Sequence, residues 1–399
     1  MTMAVRFYMT STYPGQGALM DGPDPAWRLP MSAFHWTRLD GLADSGVTTG
    51  DSIGFDRGGE VHLTAIDFSG RQIHDSASGR FHDDAVVKLS WQEETGTLPA
   101  TTTVQLTEAW NSIKNIEVTS LDTDGLVVRD FVDVRVDLDG DQDHSLTITN
   151  AKRGVLMTEG GNDHVTVAYA SNEYNWSNVF RISTGAGTDT VQVHAQSEGD
   201  LPQATWSAPF NAHPEQTLAR IDLGAGNDEA ETHACSGLIM GGAGNDTIRF
   251  FGGNMNVNGG DGRDTIIASI APEHSAPSVS TVDGGTGRDS ILVYDGLQAD
   301  DFHVTVAVHK NETGNSTGTA DEVRVGHHTA DGGFELGSLS KLGFDLYGYA
   351  DGSTAELVHT GVNTLLRVHD AGDSDLDVIK LVGQPVASVD DLHIQFIHS

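Results

Sequence analysis

Residues 241–267 read GGAGNDTIRFFGGNMNVNGGDGRDTII and contain the same glycine-rich turn twice. The two copies, GGAGND and GGDGRD, begin 18 residues apart, and each is flanked by short stretches in which apolar and polar residues alternate. Alternation with a period of two is typical of β-strands that bury one face. The segment therefore predicts a unit of strand, tight turn and strand that repeats along the chain.

The same turn occurs six times between residues 158 and 289. The spacings between its closing aspartates are 26, 39, 18, 18 and 25 residues, so the minimum of 18 occurs twice. We interpret 18 residues as the length of one rung of a solenoid, and the longer spacings as rungs that carry insertions. The six turns are TEGGND (158–163), TGAGTD (184–189), LGAGND (223–228), GGAGND (241–246), GGDGRD (259–264) and GGTGRD (284–289).

Two columns of aliphatic residues flank these turns at fixed positions. One column lies two residues before each turn, and the other lies two residues after each closing aspartate. This pattern predicts an all-β fold, a parallel β-roll or β-helix solenoid, with rungs about 4.8 Å apart and the turns along one edge. The twelve positions are Leu156, Ile182, Ile221, Ile239, Val257 and Val282 before the turns, and Val165, Val191, Ala230, Ile248, Ile266 and Ile291 after them.

The turns resemble the GGxGxDxUx nonapeptide of RTX proteins, a family whose parallel β-roll binds calcium. The resemblance is strongest at 241–248, 259–266 and 284–291, whereas Thr158 and Glu159 replace the first two glycines at 158–165. It covers one edge of the predicted roll, because the alternate half-turns carry no complete motif. The ligand residues that it implies are Asp163, Asp189, Gly224, Gly226, Asp228, Gly241, Gly242, Gly244, Asp246, Gly259, Gly260, Gly262, Asp264, Gly284, Gly285, Gly287 and Asp289.

Stacking these turns brings the closing aspartates into a column of like charges. Neighbouring carboxylates about 5 Å apart repel by about 1 kcal/mol in water and by ~3 kcal/mol at an effective dielectric constant of 20. A hard divalent cation between rungs reverses this effect, since carboxylate and carbonyl oxygens are the ligands of Ca²⁺. We expect about three to five calcium ions of weak extracellular affinity, and a roll that folds when it binds them. An incomplete earlier rung, 134–148, is expected to begin the ladder with Asp143 in the closing position.

Composition excludes several classes of protein. The formal net charge is −35, which argues against binding to nucleic acids or to anionic membrane surfaces. The chain has one cysteine, Cys235, so no intrachain disulfide can form. No apolar run approaches the length of a membrane span, so membrane insertion is not expected.

The chain is expected to have three parts: a β-rich N-terminal cap or module (1–100), the solenoid (101–298) and a β-rich C-terminal module (299–399). Residues 361–397 resemble the C-terminal module of RTX proteins that use type I secretion, with two apolar strands around an acidic turn. This resemblance implies an uncleaved export signal and an extracellular or cell-surface location, and the N-terminus shows no cleavable signal pattern. The acidic turn is either one more calcium site or a solvated turn, and its aspartates are Asp370, Asp373, Asp375 and Asp377.

A catalytic alternative rests on the strand at 132–139, where Asp133, Arg135 and Asp137 share one face. Parallel β-helix lyases and epimerases use such clusters, in which a cation neutralises a uronate while a carboxylate moves a proton. The alternative is an exposed, ion-paired strand face, and the chain lacks the DPHD-type signature of the epimerases. Neither HExxH nor zinc-ligand spacing occurs, so the histidines, including His303 and His309, are interpreted as surface residues.

Aromatic residues in the long insertions suggest a binding surface, because exposed rings suit stacking against sugars or protein contacts. These residues are Tyr174, Trp176, Trp206 and Phe210, and packing back over the solenoid is their alternative role. The predicted function is therefore an extracellular calcium-binding protein with a structural or adhesive role, whose candidate partners are a surface polysaccharide or another surface protein. A polysaccharide lyase or epimerase, or a glycan-binding module, is the alternative.

Overall fold

We describe the protein from a computed structural model. The described residues are 3–11, 34–38, 61–75, 80–93, 102–108, 115–119, 125–129, 133–138, 140–169, 178–195, 217–269, 279–294, 303–312, 319–328, 334–339, 342–361, 363–372, 376–383 and 388–397. Within these ranges the elements are β-strands, apart from a 3-10 turn at Val389–Asp391. The all-β fold class is therefore confirmed. The chain forms two compact units: the first contains the strands up to Gly185, and the second contains Ala186–His194 and the strands after Thr205.

The first unit contains twelve described strands in two sheets. In chain order they are β1 (Met3–Ser11), β2 (Phe34–Arg38), β3 (Val61–Asp75), β4 (Arg80–Glu93), β5 (Thr102–Glu108), β6 (Asn115–Thr119), β7 (Gly125–Arg129), β8 (Asp133–Asp137), β9 (Ser145–Ala151), β10 (Arg153–Met157), β11 (His164–Tyr169) and β12 (Asn178–Ser183). Sheet I has the order β2-β1-β5-β7-β9-β11, and sheet II has the order β3-β4-β6-β8-β10-β12. Strands alternate between the two sheets from β5 onwards, as in a solenoid.

Pairing in the first unit is parallel except at its N-terminal edges. There, β1 pairs with β2 and β3 pairs with β4 in antiparallel fashion. Parallel pairing then links β1 to β5 and β4 to β6, so strands within residues 1–100 belong to the same two sheets as the rungs that follow.

The second unit contains β13 (Thr190–Ala195), β14 (Thr217–Asp222), β15 (Glu229–His233), β16 (Ser236–Ala243), β17 (Thr247–Phe251), β18 (Met255–Gly262), β19 (Thr265–Ser269), β20 (Val279–Asp283), β21 (Thr286–Gly287), β22 (Ser290–Tyr294), β23 (His303–His309), β24 (Asp321–His328), β25 (Phe334–Leu336), β26 (Leu342–Tyr347), β27 (Thr354–Thr360), β28 (Asn363–His369), β29 (Leu376–Val382) and β30 (His393–Ile397). Sheet III has the order β13-β15-β17-β19-β22-β24-β29-β28-β27, and sheet IV has the order β14-β16-β18-β20-β23-β26-β30. The short strand β21 pairs with β18, and β25 pairs with β24.

Parallel stacking in the second unit continues beyond the last glycine-rich turn. Strands β23, β26 and β30 extend sheet IV, and β24 and β29 extend sheet III, all in parallel register. Antiparallel pairs β27–β28 and β28–β29 then complete sheet III. Strands within residues 299–399 are therefore continuous with the sheets that hold the repeated turns.

The two aliphatic columns form the core, as the sequence predicts. In sheet IV, Ile239 lies beside Val257, and Val257 beside Val282. In sheet III, Ile248 lies beside Ile266 in the same way. All twelve predicted positions are buried, and none exposes more than 3% of its surface. Burying a side chain of this size stabilises the fold by about 1.5–3 kcal/mol, so the columns account for much of the stability of the stack.

The tight stacking of the turns explains their glycines. Gly242 and Gly260 have φ of 103° and 107°, in the left-handed region that favours glycine. A Cβ on Gly260 would lie 2.0 Å from the carbonyl oxygen of Gly242 in the neighbouring rung, a distance that no side chain tolerates. The repeat therefore needs glycine here for both backbone conformation and space.

No helix in the described ranges combines the length and the apolar character that a membrane crossing requires.

Candidate metal centre

The closing aspartates of the turns lie at one edge of the rungs, directly before strands of sheets I and III. Asp163 precedes β11 in the first unit. In the second unit, Asp189, Asp228, Asp246, Asp264 and Asp289 precede β13, β15, β17, β19 and β22. All six side chains are buried, with at most 2% of the residue surface exposed. We call the five aspartates of the second unit, together with Asp321 described below, the aspartate column.

From Asp228 onwards, Oδ1 of each aspartate is used within the column. The backbone N–H of one aspartate donates to Oδ1 of the aspartate in the next rung, which fixes these side chains in the same rotational position. These N–Oδ1 distances are 2.7 Å for Asp189 to Asp228, 2.9 Å for Asp228 to Asp246, 2.8 Å for Asp246 to Asp264, 2.8 Å for Asp264 to Asp289 and 2.8 Å for Asp289 to Asp321.

The other oxygen is available for a ligand. Within the described part of the chain, the Oδ2 atoms of Asp228, Asp246, Asp264 and Asp289 are buried and have no hydrogen-bond partner. A buried carboxylate oxygen without a donor destabilises the fold, because folding removes the water that hydrogen-bonds to it and supplies no other donor. Four such atoms at equivalent positions in successive turns are candidate ligand atoms for a cation.

The glycine carbonyls supply a second kind of oxygen beside these atoms. A Cβ built on Gly259 would lie 2.5 Å from Oδ2 of Asp264 and 2.5 Å from the carbonyl oxygen of Gly284. A Cβ on Gly241 would likewise overlap Oδ2 of Asp246 and the carbonyl oxygen of Gly259. The first glycines of these two turns, Gly241 and Gly259, therefore leave open spaces that carboxylate and carbonyl oxygens border, which is the donor set that Ca²⁺ prefers.

Burial makes the aspartate column hard to ionise without a cation. Burial raises the pKa of Asp228 to about 7, of Asp264 to about 6 and of Asp289 to about 8, and neighbouring carboxylates add to each increase. The pKa of Asp246 is also raised by burial. A bound divalent cation would offset both the lost hydration and the repulsion.

Asp321 is a further member of the column that the repeated turn motif does not mark. It begins β24 and accepts the N–H of Asp289, and burial raises its pKa to about 7. No glycine-rich turn precedes it, so its sequence, TADEVRV, does not match the motif. The sequence does mark this position through Val323, an apolar residue two positions later. Val323 pairs with Ile291, which belongs to the aliphatic column that follows the closing aspartates.

The earlier rung at 134–148 exists, but its predicted register is wrong by one residue. Strand β11 pairs with β9 so that His164 lies beside Ser145, which puts His144 beside Asp163 at the closing position. His144 donates its backbone N–H to Oδ1 of Asp163 (2.8 Å). Asp143 lies one position earlier, where its Oδ1 accepts the N–H of Asn162 (2.7 Å). The first unit therefore has a histidine where the sequence predicted an aspartate.

In the described part of the acidic turn of the C-terminal region, Asp370 and Asp377 are buried and hydrogen-bonded, while Ala371 and Gly372 are exposed. Asp370 accepts hydrogen bonds from Lys310 Nζ (2.8 Å), the N–H of Ala350 (2.7 Å) and Ser353 Oγ (2.9 Å). The hydrogen bond from Lys310 is the largest cause that holds the pKa of Asp370 well below its usual range, and the other donors add to it. Asp377 Oδ2 accepts from the Tyr349 hydroxyl (2.7 Å). Asp373 and Asp375 lie outside the described residues.

The weak catalytic candidates lie on β8, away from the turns. Arg135 is exposed and Asp137 is half-buried, while the side chain of Asp133 is outside the described part. The neighbouring strand β10 places Val155 beside Arg135 and Met157 beside Asp137. Charged residues also lie beside the candidates, because β10 places Arg153 beside Asp133 and β6 places Glu117 beside Arg135. The aromatic candidates Tyr174, Trp176, Trp206 and Phe210 lie outside the described residues.

A second cluster of possible metal ligands contains His309, which the sequence predicts to be a surface residue. Nε2 of His309 lies 3.3 Å from Oδ2 of Asp283, and Glu312 lies close to both. All three side chains are half-buried, and burial raises the pKa of Glu312. Sequence spacing did not reveal this group, because residues 283 and 309 meet only through the stacking of β20 and β23.

Comparison with models of protein families and with curated proteins finds no match for this chain.

Proposed function

We propose that the protein binds calcium along the aspartate column, and that calcium binding drives the folding of the solenoid. The observation that carries this proposal is the set of buried Oδ2 atoms on Asp228, Asp246, Asp264 and Asp289, none of which has a hydrogen-bond partner within the described residues. Each such oxygen lies where a divalent cation could replace the missing donor. The resemblance of the turns to the RTX nonapeptide supports the same ion.

The residues that would hold calcium are the closing aspartates and the first glycines of the turns. Asp264 Oδ2 and the carbonyl oxygen of Gly284 border one space, and Asp246 Oδ2 and the carbonyl oxygen of Gly259 border the next. A cation that joins two rungs contributes its binding energy directly to folding, because the unfolded chain does not hold these oxygens together. About three to five ions of weak extracellular affinity fit this column.

The proposed biological setting is outside the cell, at the surface or in the matrix. Low internal calcium would leave the aspartate column unneutralised and the chain competent for type I export, and millimolar calcium outside would fold it. A solenoid of this kind would serve a structural or adhesive role by presenting a regular face of stacked strands to a polysaccharide or a surface protein. The net charge of −35 fits a protein that meets abundant divalent cations.

Replacing one column carboxylate tests this proposal. We expect Asp264→Asn to raise the calcium concentration at the folding midpoint about tenfold, which corresponds to ~1.4 kcal/mol. The matched control is Asp261→Asn, because Asp261 is an exposed carboxylate of the same turn that accepts a hydrogen bond from Thr286 Oγ1 and lies outside the column. Calcium titrations followed by circular dichroism give both midpoints. Equal shifts in the two variants would mean that the column does not bind the ion.

A further inference from the structure

We propose that Asp283, His309 and Glu312 form a second cation site that takes a transition metal of the zinc class. The three side chains each bring one ligand atom to within 4.8 Å of the other two. This cluster, which we call the histidine site, shares no residue with the aspartate column. It does not depend on the proposed calcium function.

Strand stacking assembles the histidine site from two segments of the second unit, the end of β20 and the end of β23 with its following turn. Asp283 ends β20 and lies beside Ala307 of β23, so His309, two residues further on, projects from the same edge. Glu312 follows in the turn after β23, where its N–H donates to the carbonyl oxygen of His309 (3.1 Å). The earlier rungs have a glycine-rich turn at this edge, whereas this rung has the sequence HKNE at His309–Glu312. Candidate ligand side chains therefore lie where the earlier turns have glycines.

Supporting contacts hold two of the three ligands in place. The ring of His309 stacks on Tyr347, with centroids 4.8 Å apart and planes 15° from parallel, and this directs Nε2 towards Asp283. Asp283 receives hydrogen bonds from Asn258 Nδ2 at Oδ2 (3.0 Å) and from the N–H of Gly285 at Oδ1 (3.0 Å). Such outer contacts fix ligand orientation in metal sites.

The charge around the histidine site favours a cation. Its two carboxylates face one imidazole. Oδ2 of Asp289, in the turn that follows Asp283, is also buried without a hydrogen-bond partner among the described residues. The site therefore offers a cation more negative charge than His309 balances.

The donor set selects the metal. Calcium and magnesium take oxygen ligands almost exclusively, whereas an imidazole nitrogen beside two carboxylates suits Zn²⁺ and its neighbours in the first transition row. Bonds of about 2.0–2.2 Å place two zinc ligands at most about 4.4 Å apart, so small side-chain rotations would close the cluster. Three protein ligands leave a fourth position for water or an external group, as in zinc sites that are not purely structural.

Zinc binding to the full chain in 10 mM calcium tests the proposal. Excess calcium saturates the oxygen sites, and titration against a chromophoric zinc chelator then reports only ions that calcium does not displace. We expect one zinc per chain, and at least about tenfold weaker binding after His309→Ala or Glu312→Gln. Glu312→Gln preserves side-chain size and tests the ligand role if the alanine variant misfolds, which far-UV circular dichroism would reveal.

The matched control is His369→Ala. His369 also has its Nε2 3.3 Å from a carboxylate oxygen, that of Glu356, but no third ligand side chain completes a cluster there in the described ranges. We expect this variant to bind zinc like the original chain. The proposal is overturned if the chain binds no zinc in calcium, or if the His309 and Glu312 variants bind it as tightly as the control. Neither result bears on calcium binding by the aspartate column.

Discussion

The four central column aspartates, Asp228, Asp246, Asp264 and Asp289, each combine two roles in one side chain. Oδ1 accepts the backbone N–H of the preceding rung and fixes the rotamer, while Oδ2 of the four central members lacks a donor within the described residues. An asparagine would preserve the first role through its carbonyl oxygen but would place an amide group in the cation space. This explains why the closing position repeats as aspartate through the regular turns.

Protonation of the column aspartates should partly replace the stabilising effect of calcium. Asp228, Asp264 and Asp289 have folded-state pKa values of about 7, 6 and 8, above the usual value of 3.8. Between about pH 4 and pH 8 the folded state binds more protons at these aspartates than the unfolded state does. Their contribution to the free energy of unfolding is therefore fully present below about pH 4 and is lost as the pH rises through 6 to 8. We expect calcium-depleted protein to gain β signal and a higher Tm between pH 8 and pH 5.

Thermal melts of calcium-depleted protein at several pH values in this window measure the effect. The window avoids acid unfolding through Asp370 and Glu322, whose pKa values are lowered and which titrate only under more acidic conditions. A Tm that rises with pH between 5 and 8 without calcium would contradict this explanation of the column.

At the scale of the element, each turn is held to the next by a second set of side chains. The residue before the closing aspartate is asparagine in two successive turns of the second unit. Asn227 Oδ1 accepts the N–H of Asn245 (2.7 Å), and Asn245 Oδ1 accepts the N–H of Arg263 (2.9 Å). These bonds require no ion, so they stabilise the stacking of turns whether or not calcium is present.

Removing one rung of this asparagine ladder should lower stability independently of calcium. We expect Asn245→Ala to reduce the free energy of unfolding by about 1 kcal/mol, the usual contribution of one such hydrogen bond, with no change in calcium affinity per site. Urea unfolding in saturating calcium gives this difference. Asn256→Ala is the control, because Asn256 is exposed on β18 outside the turns and should have little effect. A comparable loss in both variants would argue against the ladder.

The alternating strands and repeated turns of each element could be predicted from the sequence, because 18-residue spacing and apolar flanks are local signals. The register of the first rung could not be read from its aspartates, since 139–144 offers acidic residues at several positions. Leu146, an apolar residue two positions after His144, marks the true closing position. The histidine site was missed for another reason: its ligands come from separate rungs, and stacking alone brings them together.

At the scale of the whole molecule, an excess of acidic residues and a buried column of aspartates point to the same dependence on cations. The chain has 57 acidic and 22 basic side chains, so compaction without counter-ions works against its own charge. The apolar columns favour folding, and the unneutralised aspartates oppose it. In this account calcium decides the balance between these two terms.

Far-UV circular dichroism of the full chain, titrated from chelator to about 10 mM calcium at pH 7.5, tests this account most directly. We predict a cooperative gain of β signal with calcium and no equivalent gain with magnesium, since Mg²⁺ is smaller and gives up its water reluctantly. A chain that is already fully folded in chelator, with a Tm that calcium does not change, would contradict the account.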